Sequence, residues 1–367
     1  MKNSVVFLFG LVLFSLLIFS FLFVDRNFLF LNIYSDFIFL HKEITAFIFV
    51  ILIVSFFAFY FYFIKNQNKI SKNQLWKIIL ISIIISIFSY PAFLSYDIFN
   101  YALTAKVAFH YKENPYLLKP IEFIGDSWLP FTRATNKVAL YGPLWVLLAG
   151  IPYLLSFGNY LMILINLKLL YALFFLGSVF FISRLTPQKR EVILFALNPL
   201  IIIETFISGH NDITMIFLML SSLYFFSQKK ITIGSLLYVS SIFIKYSSLI
   251  ALPVYGFIFI NSLRKKKIDW PKVFTILFYC MFLVFVLSFI REEIYSWYAI
   301  WFLPFGFLSK NKKIVYFCLA FSISLLLGYV PYLLLQSYSK LEIYSKMGII
   351  FLIPLVGYCF MYLKKKL

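Results

Sequence analysis

Residues 95–141 read SYDIFNYALTAKVAFHYKENPYLLKPIEFIGDSWLPFTRATNKVALY and run straight into Gly142-Pro143-Leu144-Trp145. The stretch is a polar island that carries Asp97, Glu113, Glu122, Asp126 and Arg133 between long apolar runs. Irregular polar backbone cannot face lipid, because its N–H and C=O groups would go unpaired in hydrocarbon. A loop of this length in so apolar a chain therefore lies outside the bilayer, and long loops in compact proteins carry function. It reads as the working loop of a membrane enzyme.

Composition frames that reading. Hydrophobic residues make up 63% of the chain and charged ones only 13%, where a soluble domain has about a quarter charged. This is a polytopic membrane protein. The net charge of +19 raises the question of a nucleic-acid partner, but the lysines fall in short clusters between apolar runs, with no nucleic-acid motif beside them. Topology accounts for the charge, and no nucleic acid is expected. Cys280, Cys318 and Cys359 stand alone in apolar runs, so the sequence points to no disulfide framework, no metal site and no cofactor.

Working outward from the loop, apolar length and the positive-inside rule assign the spans. Val5–Val24 and Ile44–Ile64 precede the basic segment with Lys65, Lys69, Lys72 and Lys77, which places the N-terminus in the cytoplasm. Ile78 to about Leu94 then delivers Asp97 to the outer face. Beyond the loop, Pro143–Phe157 is too short to span comfortably, and a crossing there would put Arg184, Lys189 and Arg190 outside. It is expected to be a surface helix. Further spans follow at Tyr160–Ile182, Glu191–Ser208, Ile213–Phe226, Ile231–Ile244, Leu249–Ile260, Val273–Ile290, Ser296–Leu308, Ile314–Leu335 and Ile343–Leu363. The expectation is about twelve spans with both termini cytoplasmic and every large basic cluster inside.

That assignment gathers Asp97, the tetrad Gly209-His210-Asn211-Asp212, Lys245 and Arg291 at outer helix ends. Convergence of acid, base and cation at one face is what an active site at a membrane surface requires. The motifs also carry a resemblance. Tyr96-Asp97-Ile98-Phe99-Asn100-Tyr101, Asn114-Pro115-Tyr116, Tyr141-Gly142-Pro143-Leu144, Asn198-Pro199-Leu200, Gly209-His210-Asn211-Asp212 and Ile244-Lys245-Tyr246 occur in an order similar to the GT-C glycosyltransferases. Within these the chain most resembles the polyprenol-phosphate-mannose-dependent alpha-(1→6)-mannosyltransferases, over roughly residues 78–305. The resemblance implies an all-α multispan bundle, surface helices and a catalytic Asp in the first large outer loop, and a lipid-linked sugar donor. The first two and last two spans match no motif, and the loop lacks Trp and Arg positions common in actinobacterial members.

The chemistry is consistent with one carboxylate. A glycosidase needs two, but a sugar carried on phosphate leaves without protonation, so a single general base on the acceptor hydroxyl suffices while cations hold the phosphate. Asp97 is the candidate base, its ordinary alternative being a helix N-cap. Tyr101 shares its helix face, and Tyr141 closes the loop beside it. Asp212 is assigned to sugar hydroxyls and His210 to phosphate or acceptor, the alternative being that Asn211 or Asp212 merely caps the next helix. Glu204, ionisable within a span, is a functional candidate or a partner for a cation. Lys245 either binds phosphate or snorkels to the interface. Arg291 and Arg133 rank behind it, and Trp297 and Trp301 read as interfacial belt residues.

The expectation is thus a single integral membrane domain over 1–367, with an outer catalytic loop at 95–142 and a motif-bearing core at 78–305. It would move a hexose, mannose by the resemblance, from a polyprenyl-phosphate donor to a glycan or glycolipid acceptor outside the cytoplasm, in the cell membrane. A transporter or flippase of lipid-linked sugars is the rival class and predicts internal repeats and broken helices. A noncatalytic assembly subunit is a third.

Overall fold

The computed structural model describes residues 3–25, 27–28, 37–91, 93–291, 293–337 and 339–364, the side chains of 291 and 358–364 excepted. Every long regular element among the described residues is a helix, with no strand among them. In chain order the helices are α1 (Asn3–Ser20), α2 (Phe37–Leu40), α3 (Lys42–Lys65), α4 (Lys72–Ile87), α5 (Asp97–Phe109), α6 (Pro143–Leu154), α7 (Tyr160–Leu185), α8 (Lys189–Ala196) and α9 (Pro199–Ile202). They continue with α10 (Asp212–Ser227), α11 (Ile231–Ile244), α12 (Leu252–Leu263), α13 (Trp270–Arg291), α14 (Leu303–Leu308), α15 (Lys312–Leu327), α16 (Val330–Leu335) and α17 (Lys340–Lys364).

Among the described residues, six segments are long and apolar enough to cross a membrane: Asn3–Phe23, Lys42–Lys65, Tyr160–Leu185, Tyr246–Leu263, Trp270–Ile290 and Lys312–Leu335. Several of the other runs read as spans are shorter. A helix the length of α4 or α10 rises about 24 Å against a hydrocarbon core of about 30 Å. One apolar core joins residues from Phe9 in α1 to Ile350 in α17. α10 packs between α7 and α11, α5 lies on α6 and α7, and α15 packs on α17.

The run 191–208, expected as one helix, is broken. Asn198 turns out of the helix, and its side chain accepts from the N–H groups of Leu200 and Ile201 while Pro199 takes the first helical position. A proline there has no N–H to lose and a preset φ. Asn198 also donates to Ser322 Oγ at 3.1 Å. The Asn-Pro-Leu motif is thus a restart signal. After α9 the chain widens into a π-helical turn over Ile203–Ile207, a geometry that recurs at functional sites.

Two ends of the bundle are distinguished by their contacts. At one, Lys189 Nζ donates to the carbonyls of Gln67 and Ile70, joining two basic segments. At the other, Tyr160 at the start of α7 packs on Phe99, Trp128 and Phe131, bringing the loop 95–142 over the helix ends. The loop is stapled from within. Asp126 accepts from Lys106 Nζ at 2.8 Å, Tyr111 OH at 2.6 Å and the Trp128 N–H at 2.7 Å, and Lys106 lies over the Trp128 ring. It is also tied to the end of the first helical segment, where Arg133 meets Asp25 at 3.4 Å and rests on the Tyr96 ring.

Candidate active site

Asp97 begins α5. The N-cap position belongs to Tyr96, no side chain caps the helix, and the Asp97 N–H donates to Ser95 Oγ. The N-cap alternative for Asp97 therefore does not hold: the residue stands in the first turn of α5 and its carboxylate makes no cap hydrogen bond. The side chain is 28% exposed, and Oδ2 lies 3.5 Å from His210 Nδ1.

His210 arrives there because Gly209 bends the chain. Gly209 sits at φ +83, and a Cβ on it would lie 2.8 Å from the Ile98 side chain, so the residue after Asp97 packs where only glycine leaves room. His210 is fully buried and stacks on Trp297 with ring centroids 4.0 Å apart. Its other nitrogen, Nε2, is 3.5 Å from Glu204 Oε2, and Glu204 Oε1 accepts from Tyr329 OH at 2.9 Å. Glu204 partners neutral and imidazole groups, not the helix-borne cation considered from sequence.

Asp212 is buried at the start of α10 and caps nothing. Its Oδ1 accepts from Lys245 Nζ at 2.7 Å and from Trp301 Nε1. Lys245 follows α11 and sits over the Tyr298 and Trp301 rings. Its ammonium turns inward to the carboxylate, which excludes simple snorkelling. Trp297 is 7% and Trp301 3% exposed, so the belt reading of both also fails: Trp301 donates its N–H to Asp212 and Trp297 stacks on His210.

The loop motifs seat Tyr101 and Tyr141 against this cluster. Tyr101 is fully buried, packs edge-on to Tyr141 at 4.6 Å and donates its hydroxyl to Asn211 Oδ1 at 3.2 Å. Burial, with the Asp97 charge adding to it, keeps that phenol far above its ordinary titration range. Tyr116 of Asn-Pro-Tyr donates to the Tyr141 carbonyl at 2.7 Å. Gly142 N–H then donates to the Ile244 carbonyl, and a Cβ at 142 would stand 2.1 Å from the Phe243 oxygen. Glycine is what lets the loop touch the segment that carries Lys245.

Among the described residues, buried polar atoms without a hydrogen-bond partner concentrate here, including both His210 nitrogens, Glu204 Oε2, Asn211 Nδ2, Asp212 Oδ2, Thr214 Oγ1, Trp145 Nε1 and Tyr171 OH. Native folds pair nearly all such atoms, so this concentration leaves polar groups that water or a polar ligand would satisfy. Of the residues chosen from sequence, Asp97, Tyr101, Tyr141, His210, Asp212 and Lys245 come together. The side chain of Arg291 lies outside the described residues, and Arg133 is held by Asp25 and Tyr96. Sequence reading missed Tyr298 and Tyr329 altogether. The one signal for Tyr329 was Glu204 itself, a carboxyl within an apolar run that needed a donor.

A family model described as alpha-(1->6)-mannopyranosyltransferase, N-terminal domain, of the MptA_B family, matches residues 22–261. No curated protein and no solved structure matches the chain significantly. Trp297, Trp301 and Tyr329 lie beyond the matched segment, so the site draws on both sides of its boundary.

Proposed function

The chain belongs to the alpha-(1->6)-mannopyranosyltransferase family, and on that premise we propose that it takes mannose from a polyprenyl-phosphate donor and inverts the anomeric centre, with Asp97 as general base. The mannosyl transfer comes with the family; the donor, the inversion and the base are the proposal. Six long apolar helices fit a multi-pass membrane protein, which is where a lipid-linked donor resides.

The observation that carries the reading is the state of Asp97: a partly exposed carboxylate, used by no cap, beside the buried polar cluster. In the transfer step the acceptor O–H proton passes to Asp97 as its oxygen bonds to C1. The C1–O bond to phosphate breaks, and its electron pair leaves with the phosphate. A single displacement from the opposite face inverts C1. Lys245 supplies N–H donors to the departing phosphate from a position fixed by Asp212 and two aromatic rings. Because Asp212 already balances its charge, Lys245 contributes directed hydrogen bonds more than net attraction. Tyr101, Tyr141 and Asn211 line the sugar side. The acceptor is a glycan or glycolipid outside the cytoplasm, and the domain is one unit over 1–367.

The broken segment at Asn198 is a feature the transporter reading asked for. Asn198 bonded to Ser322 and Glu204 bonded to Tyr329 tie that break into the bundle. The test is donor choice. Purified protein given a glycolipid extract as acceptor should transfer mannose from polyprenyl-phosphate-mannose and not from a nucleotide-linked mannose. Transfer from the nucleotide donor alone overturns the proposal.

A further inference from the structure

Behind Asp97 runs a series of contacts that the transfer step above does not use. Asp97 Oδ2 faces His210 Nδ1 at 3.5 Å, His210 Nε2 faces Glu204 Oε2 at 3.5 Å, and Glu204 Oε1 accepts from Tyr329 OH at 2.9 Å. His210 and Glu204 are fully buried, and the imidazole is held flat against Trp297. A carboxyl buried in an apolar segment is costly, and packing alone is served as well by an apolar residue. Glu204 moreover lies in the π-helical turn, where the helix has widened.

Hydrogen accounting gives the series a direction. Tyr329 occupies one oxygen of Glu204; the other oxygen and both His210 nitrogens make no hydrogen bond and stand in line at 3.5 Å, close enough for a small shift to join them. The titratable groups around the imidazole are Asp97 from α5, Glu204 from its own segment, Tyr329 from the turn between α15 and α16, and Asp212 from α10, which is paired with Lys245. Two carboxyl groups therefore flank one ring. The tautomer that opposes no lone pair to the Asp97 carboxylate is the one with its hydrogen on Nδ1.

We propose, on the reading of Asp97 as the base, that His210 is a positioning residue. Its Nδ1–H fixes Asp97 Oδ2 and so turns Oδ1 to the acceptor hydroxyl, while Glu204 and Tyr329 fix the imidazole. This is the orienting logic of a catalytic triad with the roles exchanged: the histidine holds the carboxylate. The acceptor proton goes to the free oxygen of Asp97, the C1–O bond to acceptor forms as that to phosphate breaks, and His210 keeps its proton throughout.

The test uses substitutions that separate the donor from the bulk, in the full-length protein with polyprenyl-phosphate-mannose. His210→Asn keeps an N–H near the Nδ1 position, whereas His210→Leu keeps size without a donor. His210→Leu should lower kcat by about 10- to 100-fold with donor KM within about twofold, and His210→Asn should recover most of that loss. Glu204→Gln, which can still hydrogen-bond Nε2, should be milder than Glu204→Leu. In an Asp97→Asn background, adding His210→Leu should cost almost nothing more, since both act on one step. Equal impairment of Asn and Leu at 210, or full additivity with Asp97→Asn, overturns the proposal and leaves His210 a packing residue. Should neither His210 variant fold, the Glu204 pair decides, equal activity of Gln and Leu being the overturning result. A fully active Asp97→Asn removes the base reading itself, whereas a fully active His210→Leu beside an inactive Asp97→Asn removes only the positioning role.

Discussion

Asp97 and Asp126 belong to the same loop and are treated in opposite ways. Asp126 is closed off: its carboxylate accepts from Lys106, Tyr111 and the Trp128 N–H, and none of its side chain is exposed. Asp97 keeps 28% of its side chain exposed and, among the described residues, has only the His210 nitrogen at 3.5 Å. The difference separates a carboxylate that holds structure from one that is held ready. A structural carboxylate fills its lone pairs, because each bond to a charged or buried donor contributes stability. A general base must leave one free for the proton it takes.

Exchanging the two residues for alanine should show the contrast at its largest. Asp97→Ala is expected to reduce turnover about 10²-fold or more while the melting temperature in detergent stays near that of the parent. Asp126→Ala should do the reverse, losing about 1–3 kcal/mol of stability with a smaller effect on turnover. Similar stability losses for both would erase the distinction.

Next in size is the pair behind the site. Lys245→Met leaves Asp212 buried with, among the described residues, only Trp301 as a donor, so lost activity and lost stability arrive together. Adding Asp212→Asn removes the stranded charge and should restore the melting temperature, yet leave turnover at least about 10-fold down. Recovery of both would make Lys245 a purely structural partner of Asp212.

A smaller effect is expected from pH. Burial alone would raise the Asp126 carboxyl, but the bonds from Lys106, Tyr111 and Trp128 hold it below the usual carboxylate range. Its folded value thus lies under the unfolded value of about 3.9, so its stabilisation is complete above that pH and fades as pH falls through the lower folded value. The difference in melting temperature between parent and Asp126→Asn should be flat above about pH 5 and shrink below about pH 4. A difference that grows on acidification would contradict the staple. The Tyr111 phenol, raised to about 12 chiefly by its bond to Asp126, should likewise titrate lower in that variant.

Least of all should come Gly125→Ala. Gly125 lies at φ +89, and the place a Cβ would occupy has no neighbour within 4 Å, so only backbone strain of about 1 kcal/mol is at stake. Activity should be unchanged.

Much of this contrast was legible beforehand. Apolar length and the position of polar residues found the loop, α5 with Asp97 at its start, and α6 as a short helix. Motif order paired Asp97 with His210 and Asp212 although more than a hundred residues separate them. What sequence withheld were partners that obey no local period. Tyr329 donates to Glu204 across 125 residues and Trp301 to Asp212 across 89. Both tryptophans looked like belt residues because an aromatic at a helix end has the same local signature facing lipid or facing a site. The break at Asn198 was hidden inside a continuous apolar run, since Asn-Pro can begin a helix as readily as end one.

The central claim is that Asp97 takes the acceptor's proton, and single turnover addresses it most directly. Enzyme loaded with polyprenyl-phosphate-mannose is mixed with acceptor, and one round of transfer is followed for the parent and for Asp97→Asn, which keeps the size and hydrogen-bonding shape of the side chain but cannot accept a proton. The account predicts unchanged donor occupancy and a transfer rate constant lower by about 10²-fold or more. A rate constant within about threefold of the parent would contradict it and leave Asp212 as the carboxylate to test.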